Sequence, residues 1–362
     1  MYAFESLFLG AIKVKASDIH LVPNCPPVIR VNSQLKSVAM PVLTPRDIAD
    51  IVGAITTPVQ RERLERDKGC DFSYQCKNEA RLRCVAVYDR ESLCVSLRII
   101  PAQVPALEDL SMPPVLKEIA ETGRVMILVT GITGSGKSTT LAAMLNHING
   151  KSARRIITIE DPIEYYFPNK RSMITQREVG RDVNSFSSGL RQSLRMDPDI
   201  IMIGEMRDVE TISAGIHAAE TGHIVMSTLH TTSVLHTVLR IIGQFPKDQH
   251  DLVREQIAMN LKAAITQRLV RTADGKGRVA ALEILVVTDV VAKLIRDDRV
   301  MDCFGIIRSR DSGMQAMDQA LGDLVRAETI TFQEATEWCD DFYALKRYAM
   351  GMEASGEGGG IL

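Results

Sequence analysis

With 362 residues, 45% of them apolar, the chain is long enough for two domains with separate cores. The 43 Lys and Arg against 45 Asp and Glu leave a formal net charge of −2, too balanced for a global field that gathers nucleic acid or an anionic membrane. Seven cysteines without a C-x-x-C pair fit neither a disulfide framework nor a zinc cage and read as free thiols in a reducing cytoplasm. No signal-peptide pattern opens the sequence and no apolar run approaches the ~20 residues of a membrane span, so no direct membrane insertion is expected.

In chain order, Phe4, Leu7, Phe8, Ala11 and Ile12 share one helical stripe. Two short strands follow at 18–22 and 28–31, across a turn rich in proline. Thr44, Pro45 and Asp47 make a helix start, giving helices to about residue 54 and over 59–66. Alternation at Leu82, Cys84 and Ala86, then an apolar run over 93–99, predicts a hairpin turning at 89–91, with Arg81, Arg83 and Arg98 on its strands. This is a small α+β domain, 1–101, followed by a proline-punctuated linker, 102–114.

From residue 115 strand and helix patterns alternate: strands at 125–130, 156–159, 199–203 and 223–228, helices at 137–149, 185–196 and 208–220. That rhythm predicts an α/β domain over 115–350, with a mainly parallel sheet covered on both faces and ligands at the carboxyl ends of its strands. Its later part reads as helices at 248–269, 290–297, 314–326 and 331–347, interrupted by a strand at 279–287. A glycine-rich flexible tail, 351–362, closes the chain.

Gly131 to Ser138, Gly-Ile-Thr-Gly-Ser-Gly-Lys-Ser, matches G-x-x-x-x-G-K-[ST] between an apolar strand and a helix. The glycines let backbone amides turn inward, and the helix amino end adds a positive field for a polyphosphate. Gly131, Thr133, Gly134, Ser135, Gly136, Lys137, Ser138 and Thr139 are the candidate nucleotide-binding residues. Lys137 would reach the β- and γ-phosphates and Ser138 would ligate Mg²⁺.

Glu160, Asp161 and Glu164 follow one strand; three carboxylates so close repel unless a cation or donors absorb the charge, which places Mg²⁺ and a lytic water nearby, a solvated acidic loop being the plainer alternative. The strand at 199–203 ends in Glu205, the arrangement in which an acid holds Mg²⁺ across from Ser138. His223 and His230 flank the strand at 224–229 and could each donate to a phosphate, although alone such a histidine reads as structural.

Together these blocks resemble the secretion-ATPase superfamily, most closely its PilT/PilU branch of type IV pilus retraction motors. The residues that carry the likeness are Ala16-Ser17-Asp18-Ile19-His20-Leu21, Gly131 to Thr140, Ile159 to Tyr165, Asp197 to Asp208, Ala219 to Thr232, and Gly313-Met314-Gln315 with Asp318. The resemblance implies a PAS-like first domain, a RecA-like P-loop ATPase domain and a homohexamer that hydrolyses ATP with Mg²⁺ to retract pilin. It also implies Glu164 as catalytic glutamate, Glu205 as the Walker B acid, His223 and His230 as a histidine box, and Arg81, Arg83 and Arg98 as arginines brought to the nucleotide. An inner-membrane pilus platform protein, at whose cytoplasmic side the ring would sit, and a paralogous retraction ATPase are the implied partners.

Retraction motors of this branch carry Ala-Ile-Arg-Asn-Leu-Ile-Arg-Glu near the carboxyl end; Val290 to Asp297 keeps only its second half, with Ala292 and Lys293 in place of the arginine and asparagine. That departure leaves an accessory PilU-like ATPase as an alternative. An assembly or type II secretion ATPase is a further one, although the larger amino-terminal region and tetracysteine site usual there have no counterpart in the sequence.

Overall fold

The computed structural model describes residues 4–31, 34–77, 79–101, 103–123 and 125–352. The backbone divides into two compact units, Met1–Val104 with Pro162–Tyr166, and Pro105–Asp161 with Phe167–Leu362. Most of the expected linker, from 105 on, thus falls in the second unit, and the short run Pro162–Tyr166 that bears Glu164 falls in the first. The expected tail runs outside the described residues from 353 onward.

In the first unit, helix α1 (Phe4–Lys13) buries Leu7, Phe8 and Ala11. Strands β1 (Asp18–Leu21), β2 (Val28–Val31) and β3 (Gln34–Ser37) lead to helices α2 (Pro45–Ile55) and α3 (Pro58–Asp67). Both helices open with a proline behind a capping box, Thr44 with Asp47 and Thr57 with Gln60, so two orphan amides at each start are satisfied locally. Then come β4 (Gly69–Cys76), β5 (Ala80–Asp89) and β6 (Ser92–Pro101). The antiparallel sheet runs β3-β2-β1-β6-β5-β4. Arg90 (φ 46°) and Glu91 (φ 65°) make the two-residue β5–β6 turn, both in the left-handed region that such a turn needs.

The second unit contains α4 (Val115–Glu121), β7 (Met126–Thr130), α5 (Lys137–Lys151), β8 (Arg155–Glu160), β9 (Met173–Glu178), α6 (Phe186–Ser193), β10 (Ile200–Ile203), α7 (Val209–Glu220), β11 (Ile224–Leu229) and α8 (Val234–Gly243). It continues with α9 (His250–Asn260), β12 (Leu261–Arg271), β13 (Arg278–Val286), α10 (Asp289–Arg296), α11 (Cys303–Arg308), α12 (Met317–Arg326), α13 (Phe332–Trp338) and α14 (Phe342–Ala349). The seven-stranded sheet runs β13-β12-β7-β11-β10-β8-β9. Every neighbouring pair is parallel except β12 with β13, and β7, β10 and β11 are buried along their whole length, as doubly covered strands must be. The mixed α/β class read from the sequence is the class observed.

Two helices read from sequence are corrected. The stretch 248–269 is a helix only to Asn260; from Leu261 it is β12, wedged between β7 and β13. Ala263 and Ala264 favour helix in isolation, but strands on both sides take up the backbone groups and tertiary pairing overrides propensity. The stretch 331–347 breaks into α13 and α14 because Asp341 caps a new start, accepting from the amides of Tyr343 and Ala344.

Candidate active site

The parallel sheet gathers the chemistry at one edge. β7 ends at Thr130, whose neighbours in register are Leu229 of β11 and Thr266 of β12. One residue further along each strand lie Gly131, His230 and Gln267. Gly131 (φ 139°) turns the chain into the loop, and Gly136 (φ 88°) turns it into α5. A Cβ at Gly131 would sit 2.5 Å from the Gln267 carbonyl oxygen, and one at Gly136 would sit 2.7 Å from Gln267 Nε2, so only glycine fits against β12. Thr140 Oγ1 donates to Gln267 Oε1 at 2.6 Å, pinning the first turn of α5 to the same strand.

Inside this loop Lys137 is buried, its Nζ donating to the carbonyls of Gly131 at 2.9 Å and Ile132 at 3.0 Å. Ser135 Oγ is also buried and has no hydrogen-bond partner. Ser138 and Thr139 follow on the half-buried first turn of α5, while Thr133 and Gly134 stand exposed at the loop tip.

Beside the loop is a pocket of about 390 Å³ lined by Thr133, Glu205, Met206, Arg207, Leu229 and His230, among others. Glu205, two residues past β10, faces His230, one residue past β11, with Oε1 2.9 Å from Nε2. Arg207 Nε donates to the same carboxylate at 2.5 Å. Burial, and then the charge of Lys137, hold the His230 pKa below its ordinary 6.5 against the pull of Glu205. The imidazole is therefore neutral at pH 7, and the contact is a hydrogen bond donated by Nε2–H rather than an ion pair. Glu160, at the end of β8, is buried and accepts from Thr158 Oγ1 at 2.6 Å and Gln176 Nε2 at 3.1 Å.

His223 precedes β11, so it lies at the amino edge of the sheet, about 20 Å of strand from the phosphate loop of its own chain. Its Nδ1–H donates to the Ala218 carbonyl at 2.9 Å. Arg81 is 4% exposed, stacks at 4.5 Å from the Tyr166 ring centroid, and donates to Tyr166 Oη and Ser73 Oγ, all within the first unit. Arg83 and Arg98 are direct cross-strand partners, and Arg98, exposed, donates to Asp18 Oδ1 at 3.1 Å. Glu164, half-buried, belongs to the run that ends at Tyr166.

Comparison with known proteins decides the family. Residues 3–337 match the family model described as Type II/IV secretion system protein. The chain belongs to this family.

Among its relatives within the secretion family, the twitching motility protein of Neisseria gonorrhoeae is 42% identical over 312 residues, 86% of this chain and 83% of that one. The type IV pilus retraction ATPase PilT of Pseudomonas aeruginosa is 41% identical over 332 residues, 91% and 96% of the two chains, and the type IV pilus ATPase PilU of the same organism 39% identical over 338, 93% and 88%. The crystal structure of the pilus retraction motor PilT with bound ADP superposes with a TM-score of 0.90 at 39% identity, covering 96% of this chain and all of that one.

This secretion-family member is an ATP hydrolase, and its loop fits a nucleotide. The glycines leave room where any Cβ would intrude, Ser135 Oγ is an orphaned buried polar atom, and Lys137 is held by loop carbonyls that a phosphate oxygen can replace. The hydroxyl of Ser138 and the carboxylate of Glu205 are hard oxygen donors, of the kind that suits Mg²⁺. Sequence reading missed Gln267 and Thr140, since no motif marks a strand residue that braces the loop from behind, and it missed Tyr166 as the partner of Arg81.

Proposed function

We propose that the chain hydrolyses ATP to power type IV pilus retraction, with Lys137, Ser138, Glu205, His230 and Glu164 as its catalytic set. The observation that carries this reading is the meeting of a lysine-bearing phosphate loop with a carboxylate–imidazole pair at one sheet edge, in a chain similar along nearly its whole length to a retraction motor.

Loop amides and the amino end of α5 cradle the phosphates, and Lys137 turns from the Gly131 and Ile132 carbonyls to the β- and γ-phosphate oxygens. Ser138 and Glu205 would hold Mg²⁺, which when bound neutralises charge between those phosphates. His230, neutral, offers its N–H to the γ-phosphate or to Glu205 according to whether the phosphate is there. Glu164 orients the attacking water and takes its proton. Positioning and charge stabilisation provide most of the rate.

In a homohexamer the row of Arg83 and Arg98 would complete a neighbour's site, and Arg81 would hold the run carrying Glu164 through Tyr166. Among the described residues no helix is long and apolar enough to cross a membrane, so seating at the cytoplasmic face would come through an inner-membrane platform protein. A second reading, an accessory ATPase resembling PilU and working with a paralogous retraction ATPase, is favoured by α10. There Ala292 is buried, where the branch has its arginine, and Lys293 is exposed.

The test is enzymatic and genetic. Lys137→Ala and Glu164→Gln should each abolish ATP turnover by the folded protein, and full activity in both would defeat the assignment. Deletion in the native host should leave cells hyperpiliated and without twitching motility; bald cells would mean assembly.

A further inference from the structure

Beneath the site, the loop bearing His230 and the loop bearing Lys137 are joined by four buried threonine hydroxyls. Thr231 Oγ1 lies 2.6 Å from Thr237 Oγ1 on α8, Thr237 Oγ1 lies 3.4 Å from Thr130 Oγ1, and Thr130 Oγ1 lies 2.7 Å from Thr266 Oγ1. Thr237 Oγ1 also donates to the Ser233 carbonyl at 2.9 Å. None of the four residues is more than 6% exposed.

Packing does not call for hydroxyls at these positions, because valine has the same shape and fills the same space. A buried hydroxyl left alone costs about 1–3 kcal/mol, and Thr237 and Thr130 have backbone acceptors as well, the Ser233 carbonyl at 2.9 Å and the Ile265 carbonyl at 3.4 Å, so what the threonine–threonine contacts add is a connection between segments. What the chain joins explains it. Thr231 adjoins His230, Thr130 adjoins Gly131, and Thr266 adjoins Gln267, which braces the loop at Gly131 and Gly136. Thr237 touches both the loop beyond β11 and the end of β7, adding a side-chain link to the strand pairing of Leu229 with Thr130.

We propose that Thr237 is a positioning residue for hydrolysis: through Thr231 and Thr130 it fixes His230 relative to the phosphate loop, so that one γ-phosphate meets both. The proposal rests on the reading of His230 as a phosphate contact. Loop amides and Lys137 are untouched by loss of this tie, so nucleotide still binds. Displacement of His230 by about 1 Å is enough to slow a positioned reaction on the order of 100-fold.

Three variants of the full-length protein test it: Thr237→Val, which keeps shape and loses the hydroxyl, Thr237→Ser, which keeps the hydroxyl, and Thr231→Val, which cuts the same link from its other end. Both valine variants should lower kcat for ATP at least ~10-fold with KM unchanged within about twofold, while Thr237→Ser stays within about threefold of wild type. Wild-type kcat in either folded valine variant, a serine variant as slow as the valine one, or a rise in KM matching the fall in kcat would each overturn the proposal. A second readout is independent of turnover. The His230 ring signals, assigned in NMR spectra with His230→Gln, should shift and broaden at fixed pH in the folded valine variants, as its loop loosens beside Glu205 and Arg207, while Thr237→Ser keeps the wild-type positions. Unmoved His230 ring signals in the valine variants would equally overturn the tie. If wild type itself fails to hydrolyse ATP, the functional reading falls while the ring signals still decide the tie.

Discussion

Arg81 and Lys137 are both buried cations, 4% and 8% exposed, yet they are held in opposite ways. The Arg81 guanidinium is clasped by two hydroxyl groups and a stacked aromatic ring of its own unit, and the ring is a partner that no phosphate can imitate. The Lys137 ammonium rests on carbonyl oxygens of Gly131 and Ile132, acceptors whose place a phosphate oxygen can take. Burial of a charge therefore does not separate a binding group from a structural one; the replaceability of its partners does. The same contrast holds between the units, with Arg81 and Arg98 of the first committed to side chains and the second unit's sheet edge keeping an orphaned hydroxyl and a carboxylate–imidazole pair beside a pocket.

The sharpest way to break that contrast is at the glycines. Gly131→Ala must adopt φ 139° and push a methyl to 2.5 Å from a backbone oxygen of β12, so the strand edge itself has to shift. A destabilisation of roughly 3 kcal/mol or more, with loss of measurable Mg-ATP binding, is expected. Gly134→Ala has φ 81° but open space around the new atom, and should cost only about 1–2 kcal/mol with binding retained. Urea unfolding and calorimetry of the two variants read this directly; equal effects would mean the loop is not braced on β12.

Next in size is an acid of the second unit, directly across β12 from Thr266. Glu283 on β13 is 4% exposed and accepts the Val234 amide at 2.9 Å. Burial foremost, then the nearby Asp340, outweigh that amide and Arg268 and push its pKa from 4.5 to about 7. Between those values the folded protein keeps a proton that the unfolded chain has released, so the stability from this group is full below pH 4.5 and is lost as pH rises through 7. Glu283→Gln still accepts from Val234 and does not titrate. From pH 5 to pH 8 wild type should lose on the order of 3 kcal/mol relative to this variant, read as the difference in unfolding midpoints. Parallel pH profiles would show that Glu283 is ionised throughout.

How much of this was legible in the sequence follows the range of the interactions. Gly131 to Ser138 announces itself because the constraint is local: a tight turn needs glycine and a phosphate needs the lysine, all within eight residues. Glu205 and His230 were legible as residues just past buried strands, since a parallel sheet sends all such ends to one edge. His223 flanks the same strand at its other, amino end, so the strand pattern alone does not bring it to that edge. Gln267, Thr237 and Glu283 were silent for a different reason. Their partners lie 127, 107 and 49 positions away, and one of their strands, β12, carries alanines that read as helix.

The smallest effects separate the two roles open to the first unit's arginines. Arg81→Ala removes a buried stack and leaves the hydroxyls of Ser73 and Tyr166 to find new partners, so it should destabilise the protein by about 2 kcal/mol. Arg81→Lys should recover little of this, since an ammonium neither stacks as a plane nor donates to both hydroxyls in fork geometry. Arg98, exposed and paired only at the surface with Asp18, should cost under ~1 kcal/mol as alanine. Thermal unfolding alone would not distinguish a structural pin from a trans-acting catalyst, so turnover is measured on the folded fraction of each variant. A pin predicts that Arg81→Ala loses stability first and that its kcat suffers through displacement of the run Pro162–Tyr166, with Tyr166→Phe weakening the protein in the same direction. A catalyst reaching a neighbour's nucleotide predicts the reverse, an unmoved melting point with a collapsed kcat, which is the pattern expected of Arg98→Ala if its exposed guanidinium is the one that leaves the chain.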